Sequence, residues 1–198
     1  MSEDFFSAGY WDDRYSDGRQ WSGKPNPTLV AEVADLGPGS AVDVGCGEGG
    51  DAIWLAEQGW QVTGLDVSAV ALRRAAEHSG DLKIEWVQAD LRTEDPPGTF
   101  DLVTSHYMQL PVELRIPFHH RLAAAVSPGG TLLIVAHDVS DLDSGVRRPP
   151  MPGLFFSAED VVAALPRDEW DTVVAERRPR LTPDGTTVHD VVVRARRR

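Results

Sequence analysis

Ala41-Val42-Asp43-Val44-Gly45-Cys46-Gly47-Glu48-Gly49-Gly50 is the stretch that decides the fold of this chain. Ala41–Val44 reads as a short buried strand, the glycines break it, and Asp51-Ala52-Ile53-Trp54-Leu55-Ala56 opens a helix. Glycine lets the backbone bend sharply and lets a ligand approach it, because no Cβ stands in the way. The helix start offers free N–H groups and a positive dipole end to a polar ligand. A second strand-like run, Trp60-Gln61-Val62-Thr63-Gly64-Leu65, ends in Asp66, an acid placed to accept hydrogen bonds from ribose hydroxyls. Strand, glycine turn, helix, strand and acid together describe a nucleoside-binding unit.

Outward from that unit the chain alternates. Strands are expected at 61–65, 83–87, 100–103 and 131–136, and helices at 50–57, 68–77, 112–126 and 157–165. Asn26 and Pro27 suit the cap and first position of a further helix, whose apolar stripe is Leu29, Val30, Val33 and Leu36 and which Gly37-Pro38-Gly39 stops. Such alternation indicates βαβ units and a parallel sheet. The tail breaks the rhythm: 170–176 and 187–193 are β-like with no helix between them, so they predict an antiparallel hairpin at one sheet edge. Residues 1–24, rich in Phe, Tyr and Trp, read as a partly helical cap. The long 138–156 stretch, with Gly145, Pro149, Pro150, Pro152 and Gly153, reads as an active-site loop.

Composition narrows the function. The chain has 198 residues, 41% hydrophobic and 25% charged, which suits a single domain over 1–198. A formal net charge of -12 argues against broad nucleic-acid binding; the basic Arg194–Arg198 end reads as a solvated tail. The lone Cys46 excludes a disulfide framework and a thiolate-only metal site. No apolar run approaches the ~18 residues of a membrane span, and the acidic N-terminus lacks a signal-peptide pattern. A cytoplasmic enzyme with no nucleic-acid or membrane partner is the expectation.

The cofactor follows from the glycine spacing and its flanking acids. A pyridine-nucleotide fold favours G-x-G-x-x-G with a pyrophosphate on the helix start, whereas here Gly45-x-Gly47-x-Gly49 follows Asp43 on the strand itself. An acid there faces a cationic amino group better than a pyrophosphate. S-adenosylmethionine, with an ammonium, a sulfonium and no phosphate, fits. The series Asp43-x-Gly45-x-Gly47-x-Gly49, Asp66, Gln88-Ala89-Asp90-Leu91 and Phe100-Asp101-Leu102-Val103 resembles the successive motifs of the class I S-adenosylmethionine-dependent methyltransferases. The small size and aromatic N-terminus resemble the thiopurine- and tellurite-type branch.

That resemblance implies an α/β, Rossmann-like three-layer sandwich whose seven-stranded, mostly parallel sheet ends in a C-terminal antiparallel β-hairpin. It implies that Asp43 and Gly45 line the amino-acid end of the cofactor and that Gly47 and Gly49 let the backbone pass close to it. By the same resemblance Asp66 takes the ribose hydroxyls, Val67 packs on adenine, Asp90 accepts from the adenine amine and the Leu91 N–H serves the ring. Arg14 is a candidate for the methionine carboxylate, and Trp21 and Ser105 for the cofactor's edge.

The chemistry is an in-line displacement that needs positioning but no metal and no covalent intermediate. The acceptor belongs over the carboxyl ends of the strands, which makes Ser105, His106, Tyr107 and Met108, then His137 and Asp138, the candidates. His106 is the preferred general base because imidazole titrates near neutral pH; Tyr107 and His137 complete the catalytic candidates. His119, His120 and His189 are expected to be structural or at the surface. Nucleic-acid base methyltransferases commonly carry Asn/Asp-Pro-Pro-aromatic where this chain has Thr104-Ser105-His106-Tyr107, so the expected partner is a small-molecule methyl acceptor such as a thiol, phenol or heterocycle. A nicotinamide-dependent oxidoreductase and a non-catalytic S-adenosylmethionine-binding protein are the competing readings.

Overall fold

The computed structural model describes residues 6–20, 22–146, 151–182 and 184–198. Among these, seven strands form one sheet in the order β3-β2-β1-β4-β5-β7-β6. They are β1 (Ser40–Val44), β2 (Gln61–Asp66), β3 (Ile84–Gln88), β4 (Phe100–His106), β5 (Val126–His137), β6 (Trp170–Leu181) and β7 (Thr187–Arg197). The first five run parallel, and β7 inserts antiparallel between β5 and β6. The expected hairpin is therefore present. The helices are α1 (Ala8–Ser16), α2 (Pro27–Glu32), α3 (Gly50–Glu57), α4 (Ala69–Ser79), α5 (Val112–Ala124) and α6 (Ala158–Ala163).

Successive strand residues point to opposite sheet faces, and this alternation divides the core into two layers. Val42, Val44, Leu132, Ile134, Val191 and Val193 pack with Phe118 and Leu122 of α5 and Val161 of α6. Their neighbours Ala41, Leu133, Val135 and Val192 pack with Leu29 of α2 and Ala52 and Leu55 of α3. The central strands are apolar on both sides because helices cover both. The edge strand β6 is mostly exposed and carries Asp171, Glu176, Arg177 and Arg178, charges that blunt pairing with another chain.

Several boundaries differ from the sequence reading: β5 begins at Val126, inside the stretch expected to be helix, and α2 ends at Glu32, short of the expected Leu36. β4 runs on to His106, because Ser105 and His106 pair in register with Ile134 and Val135. β6 continues through Pro179, which an edge strand tolerates. The basic end is not a solvated tail: Arg194–Arg197 belong to β7, Ala195 is fully buried, and the guanidinium of Arg194 is 2.9 Å from Asp35 while that of Arg198 is 2.6 Å from Asp171. Alternating arginines around a buried Ala195 are a strand with one solvated face, a pattern that charge alone obscured.

The strand order reverses between β1 and β4, where the chain leaves in opposite directions from adjacent strands. Ligands of open α/β sheets bind at such a switch point, outside the carboxyl ends of the strands. The glycine turn follows β1 and Tyr107 follows β4, so both lie at that place.

Candidate functional site

The turn after β1 is tied to β2 by the N–H groups of Gly45 and Cys46, which donate to the Leu65 carbonyl at 2.8 and 3.0 Å. Gly49 (φ +83°) caps α3, and a Cβ there would come within 2.7 Å of the Trp86 ring and 3.0 Å of the Ala75 methyl. Only glycine meets both demands.

Asp66 ends β2 with its carboxylate spread over this turn, accepting from the Gly47 N–H (2.8 Å) and the Ser68 N–H (2.9 Å). Burial raises its pKa, against the lowering by the N–H groups of Ser68, Gly47 and Val67. Beside it opens a crevice of about 380 Å³ lined by Ala8, Val67, Gln88, Ala89, Asp90, Arg92 and Glu94. Val67 and Asp90 thus meet in one place, next to Asp66. The Asp90 carboxylate is gripped by Arg92 at 2.8 and 2.6 Å, which holds its pKa below the usual range. The side chain of Leu91 is buried in the core. A hollow of about 700 Å³ at the amino ends of β1 to β4, among Ser40, Trp60, Gln61, Ile84 and Phe100, is reached by none of the motif acids.

The N-terminal cap lies over the crevice. Asp12 of α1 accepts from the Ser68 hydroxyl (2.6 Å) and the Val70 N–H (3.1 Å) at the start of α4. Glu48 of the turn accepts from the Gln20 N–H (3.0 Å) and pairs with Arg74 (3.2 Å). Arg14 sits 5.8 Å over the Trp11 ring, and Trp21 lies outside the described residues.

Below the turn is a set of three groups that the sequence did not join. Asp43, only 2% exposed, lies with Asp51 and His106 so that one ligand atom of each falls within 4.8 Å of the others. Asp51, in the first turn of α3, accepts from the Asn26 N–H at 2.5 Å and faces His106 Nδ1 at 2.6 Å. His106 Nε2 is 2.8 Å from the Thr104 hydroxyl. Burial, then the Asp51 charge, pushes Asp43 up to about 8, with His106 acting the other way. Burial opposes the cation on His106, yet Asp51 and Asp43 outweigh it and hold the imidazole above its ordinary range. The donor set would also suit a divalent cation. Both ring nitrogens of His106 are already in hydrogen bonds, however, so the trio is best described as a proton-sharing set.

Ser105 lies on β4 opposite Val44, its hydroxyl buried and without a hydrogen-bond partner. Tyr107 follows with φ +58°, the one non-glycine residue at positive φ among the described residues. Such strain persists only where the surroundings over-determine it, and it concentrates at functional sites. Here the Tyr107 N–H donates to Val135 (2.7 Å), its hydroxyl donates to Asp190 (3.1 Å) and its ring stacks on His137 at 4.4 Å. Burial, then Asp190, raises the phenol pKa. His137 Nδ1 stands 3.8 Å from Asp190 and 3.9 Å from Asp141. Met108 folds under the turn, 2.7 Å from where a Gly45 Cβ would stand. Asp138 is turned to the Ser140 N–H (2.9 Å). His119 is buried between Phe118 and Phe156, its pKa pushed down to about 4 by burial and Arg115.

Asp51, Asp190 and Arg180 are participants that sequence reasoning did not name. Asp190 had a signal: Val188, Asp190 and Val192 share one strand face, and an acid among buried valines is out of place. Asp51 had a weaker one, as an acid in the first turn after the glycines. Arg180 had none.

Residues 41–130 match the model of a family described as a methyltransferase domain. Over those residues the chain is similar to that family. An uncharacterized methyltransferase of Mycobacterium tuberculosis is 35% identical over 119 residues, covering 60% of each chain, so this chain spans about three fifths of that relative's length. Thiocyanate methyltransferase 1 of Brassica oleracea is 29% identical over 167 residues, 79% of this chain and 73% of that one. The structure of the N-methyltransferase NodS of Bradyrhizobium japonicum with S-adenosyl-L-homocysteine superposes with a TM-score of 0.74 at 17% identity, covering 96% and 97%. The fold is thus the Rossmann-like one of that neighbour. No helix among the described residues is long and apolar enough to cross a membrane.

Proposed function

We propose that the protein is an S-adenosylmethionine-dependent methyltransferase acting on a small-molecule acceptor. The observation that carries this reading is the acidic lining of the nucleoside crevice: Asp43, Glu48, Asp51 and Asp66 surround the glycine turn, and although Glu48 pairs with Arg74 and Asp51 with His106, burial still strains the Asp43 carboxylate, which a ligand's cationic group would relieve. A dinucleotide would bring its diphosphate against those carboxylates, which disfavours the oxidoreductase reading. The relatives named for methyl transfer, one of them for thiocyanate, support the same conclusion.

The residues present fit this cofactor. Asp43 with the Gly45 backbone would hold its ammonium end, Asp66 its ribose hydroxyls, and the crevice of Val67, Ala89 and Asp90, with the Leu91 N–H, its adenine. The orphaned Ser105 hydroxyl would gain a partner at the cofactor's edge, and Arg14 of the cap would reach its carboxylate. Bound S-adenosylmethionine would supply a methyl group on a sulfonium, open to displacement by an acceptor's lone pair. The chain's own contribution would be placement and exclusion of water, with α1 brought over the crevice by Ala8 and Asp12. His106, with both ring nitrogens engaged, holds positive charge near Asp43. Proton removal from an acceptor that carries a proton then falls to His137, beside Tyr107.

Calorimetric titration with S-adenosylhomocysteine and transfer of labelled methyl to a panel of thiols, phenols and heterocycles test the proposal. Binding together with transfer is the expected result. Absence of binding would refute the cofactor, and binding without transfer to any acceptor would favour a non-catalytic binder.

A further inference from the structure

Asp190 is a carboxylate in a place that should be apolar. It is 2% exposed, and Val188 and Val192 on the same strand face are fully buried. A buried charge persists only when paired and hydrogen-bonded. Its pairing is specific: Arg180 Nε donates to Oδ2 at 2.8 Å, the Tyr107 hydroxyl donates to the same oxygen at 3.1 Å, and His137 Nδ1 stands 3.8 Å from Oδ1. Burial works to raise the pKa of Asp190, but His137, Arg180 and Tyr107 hold it below the usual carboxylate range. The group is an anion that fixes three others.

The way it holds Arg180 is informative. Arg74 and Arg194 reach their carboxylates with terminal nitrogens, and Arg92 and Arg178 use Nε and a terminal nitrogen together, which engages the outer fork of each guanidinium. Arg180 is held through Nε, its inner nitrogen. A guanidinium carries five donors in fixed geometry, and Asp190 with the Tyr107 hydroxyl uses only part of them. The side chain is 36% exposed, and its head lies 5.9 Å over the Tyr107 ring, which stacks on His137. These groups stand at the carboxyl ends of β4, β5 and β6, on the side of the glycine turn where an acceptor belongs.

We propose that the methyl acceptor carries a negative charge and that Arg180, aimed by Asp190 across the Tyr107–His137 stack, binds it. This rests on the methyltransferase reading and deepens it. The ligand class is a small anion, or a small molecule bearing a thiolate or carboxylate. An anionic acceptor arrives with no proton to lose, so it asks no base of His137. Of the other acids nearby, Asp138 accepts from the Ser140 N–H at 2.9 Å, and Asp141 accepts from the His189 N–H at 2.8 Å while its second oxygen lies 3.9 Å from His137 Nδ1.

The test is titration of sodium thiocyanate, at constant ionic strength, into protein saturated with S-adenosylhomocysteine. Wild type is expected to bind the anion, Arg180→Gln at least tenfold more weakly, and Arg180→Lys within about threefold of wild type. S-adenosylhomocysteine affinity is expected to be the same in all three, which shows that each is folded. Equal thiocyanate binding by wild type and Arg180→Gln, or none by the wild-type complex, would overturn the inference while leaving the cofactor reading intact. Failure of wild type to bind S-adenosylhomocysteine would overturn both.

Discussion

Replacing Asp43 by Asn should move stability and cofactor affinity in opposite directions. In the free protein the Asp43 carboxyl is raised from its usual 3.8 to about 8, first by burial and then by the charges of Asp51 and Asp66. A raised carboxyl costs nothing below pH 3.8, where folded and unfolded chains both hold the proton. Above it the unfolded chain releases the proton while the folded one keeps it, so stability falls as pH rises toward 8. About four units at 1.36 kcal/mol each set a ceiling of roughly 5 kcal/mol at pH 8. Asn keeps the acceptor for the Ala52 N–H but loses the attraction to His106, so a net gain of about 1–2 kcal/mol is expected. At roughly 2–4 °C per kcal/mol for a chain of this size, differential scanning calorimetry should give a higher Tm for the variant at pH 8, a gain that vanishes or reverses by pH 5. Calorimetric titration should show S-adenosylhomocysteine bound about tenfold more weakly, for loss of one charge-assisted contact. A variant less stable than wild type at pH 8, or a gap that does not shrink at pH 5, would refute the claim that burial and the neighbouring acids strain this carboxylate.

Other expectations follow from the same geometry. Asp66→Ala removes the acceptor of the Gly47 and Ser68 N–H groups together with the proposed ribose contact, so S-adenosylhomocysteine affinity should fall about ten- to hundredfold; unchanged affinity would remove Asp66 from the site. Ser68→Ala deletes both the cap of α4 and the anchor of Asp12, costing about 1 kcal/mol in a thermal melt. In that variant α1 amides should exchange faster, and unchanged protection would show that α1 is held by other contacts. His119 has its pKa pushed down to about 4, so the native state favours neutral imidazole while the unfolded chain takes a proton from about pH 6.5 downward. Wild type should therefore lose up to about 3 kcal/mol between pH 6.5 and 4 that His119→Leu does not lose. Parallel Tm–pH curves for the two proteins would refute it.

The parts legible in the sequence are those encoded by local pattern. The glycine turn, the strand–helix alternation and the terminal hairpin each sit within a few dozen residues, and period-2 burial with glycine chemistry is enough to read them. The helix over Gly50–Glu57 was delimited from sequence alone, because Gly49 caps it and Gln58-Gly59 ends it. The extension of β4 to His106 and of β6 past Pro179 was not, because pairing partners elsewhere in the sheet decide how far a strand runs. His106 shows the same limit at the level of chemistry. Its type and place suggested a base, but only the fold reveals Asp51 on one ring nitrogen and Thr104 on the other.

The second half of the site is long-range throughout, and its assembly depends on a register. His137 lies directly opposite Asp190 across the β5–β7 ladder, and Arg178 opposite Asp190 across β6–β7. Side-chain direction in a strand has period two, so sliding β7 by one residue would set Val191 beside His137 and turn Asp190 into the apolar layer under α5 and α6. The valines of β7 resist that slip from both faces: Val191 and Val193 are buried on one side, Val188 and Val192 on the other. The turn joining β6 to β7 reinforces it, with Thr182 and Thr186 bonded across its mouth at 2.9 Å. The terminal hairpin thus does more than finish the sheet. Its apolar residues fix the register, and the register delivers the one buried carboxylate that organises Tyr107, His137 and Arg180 beside the glycine turn.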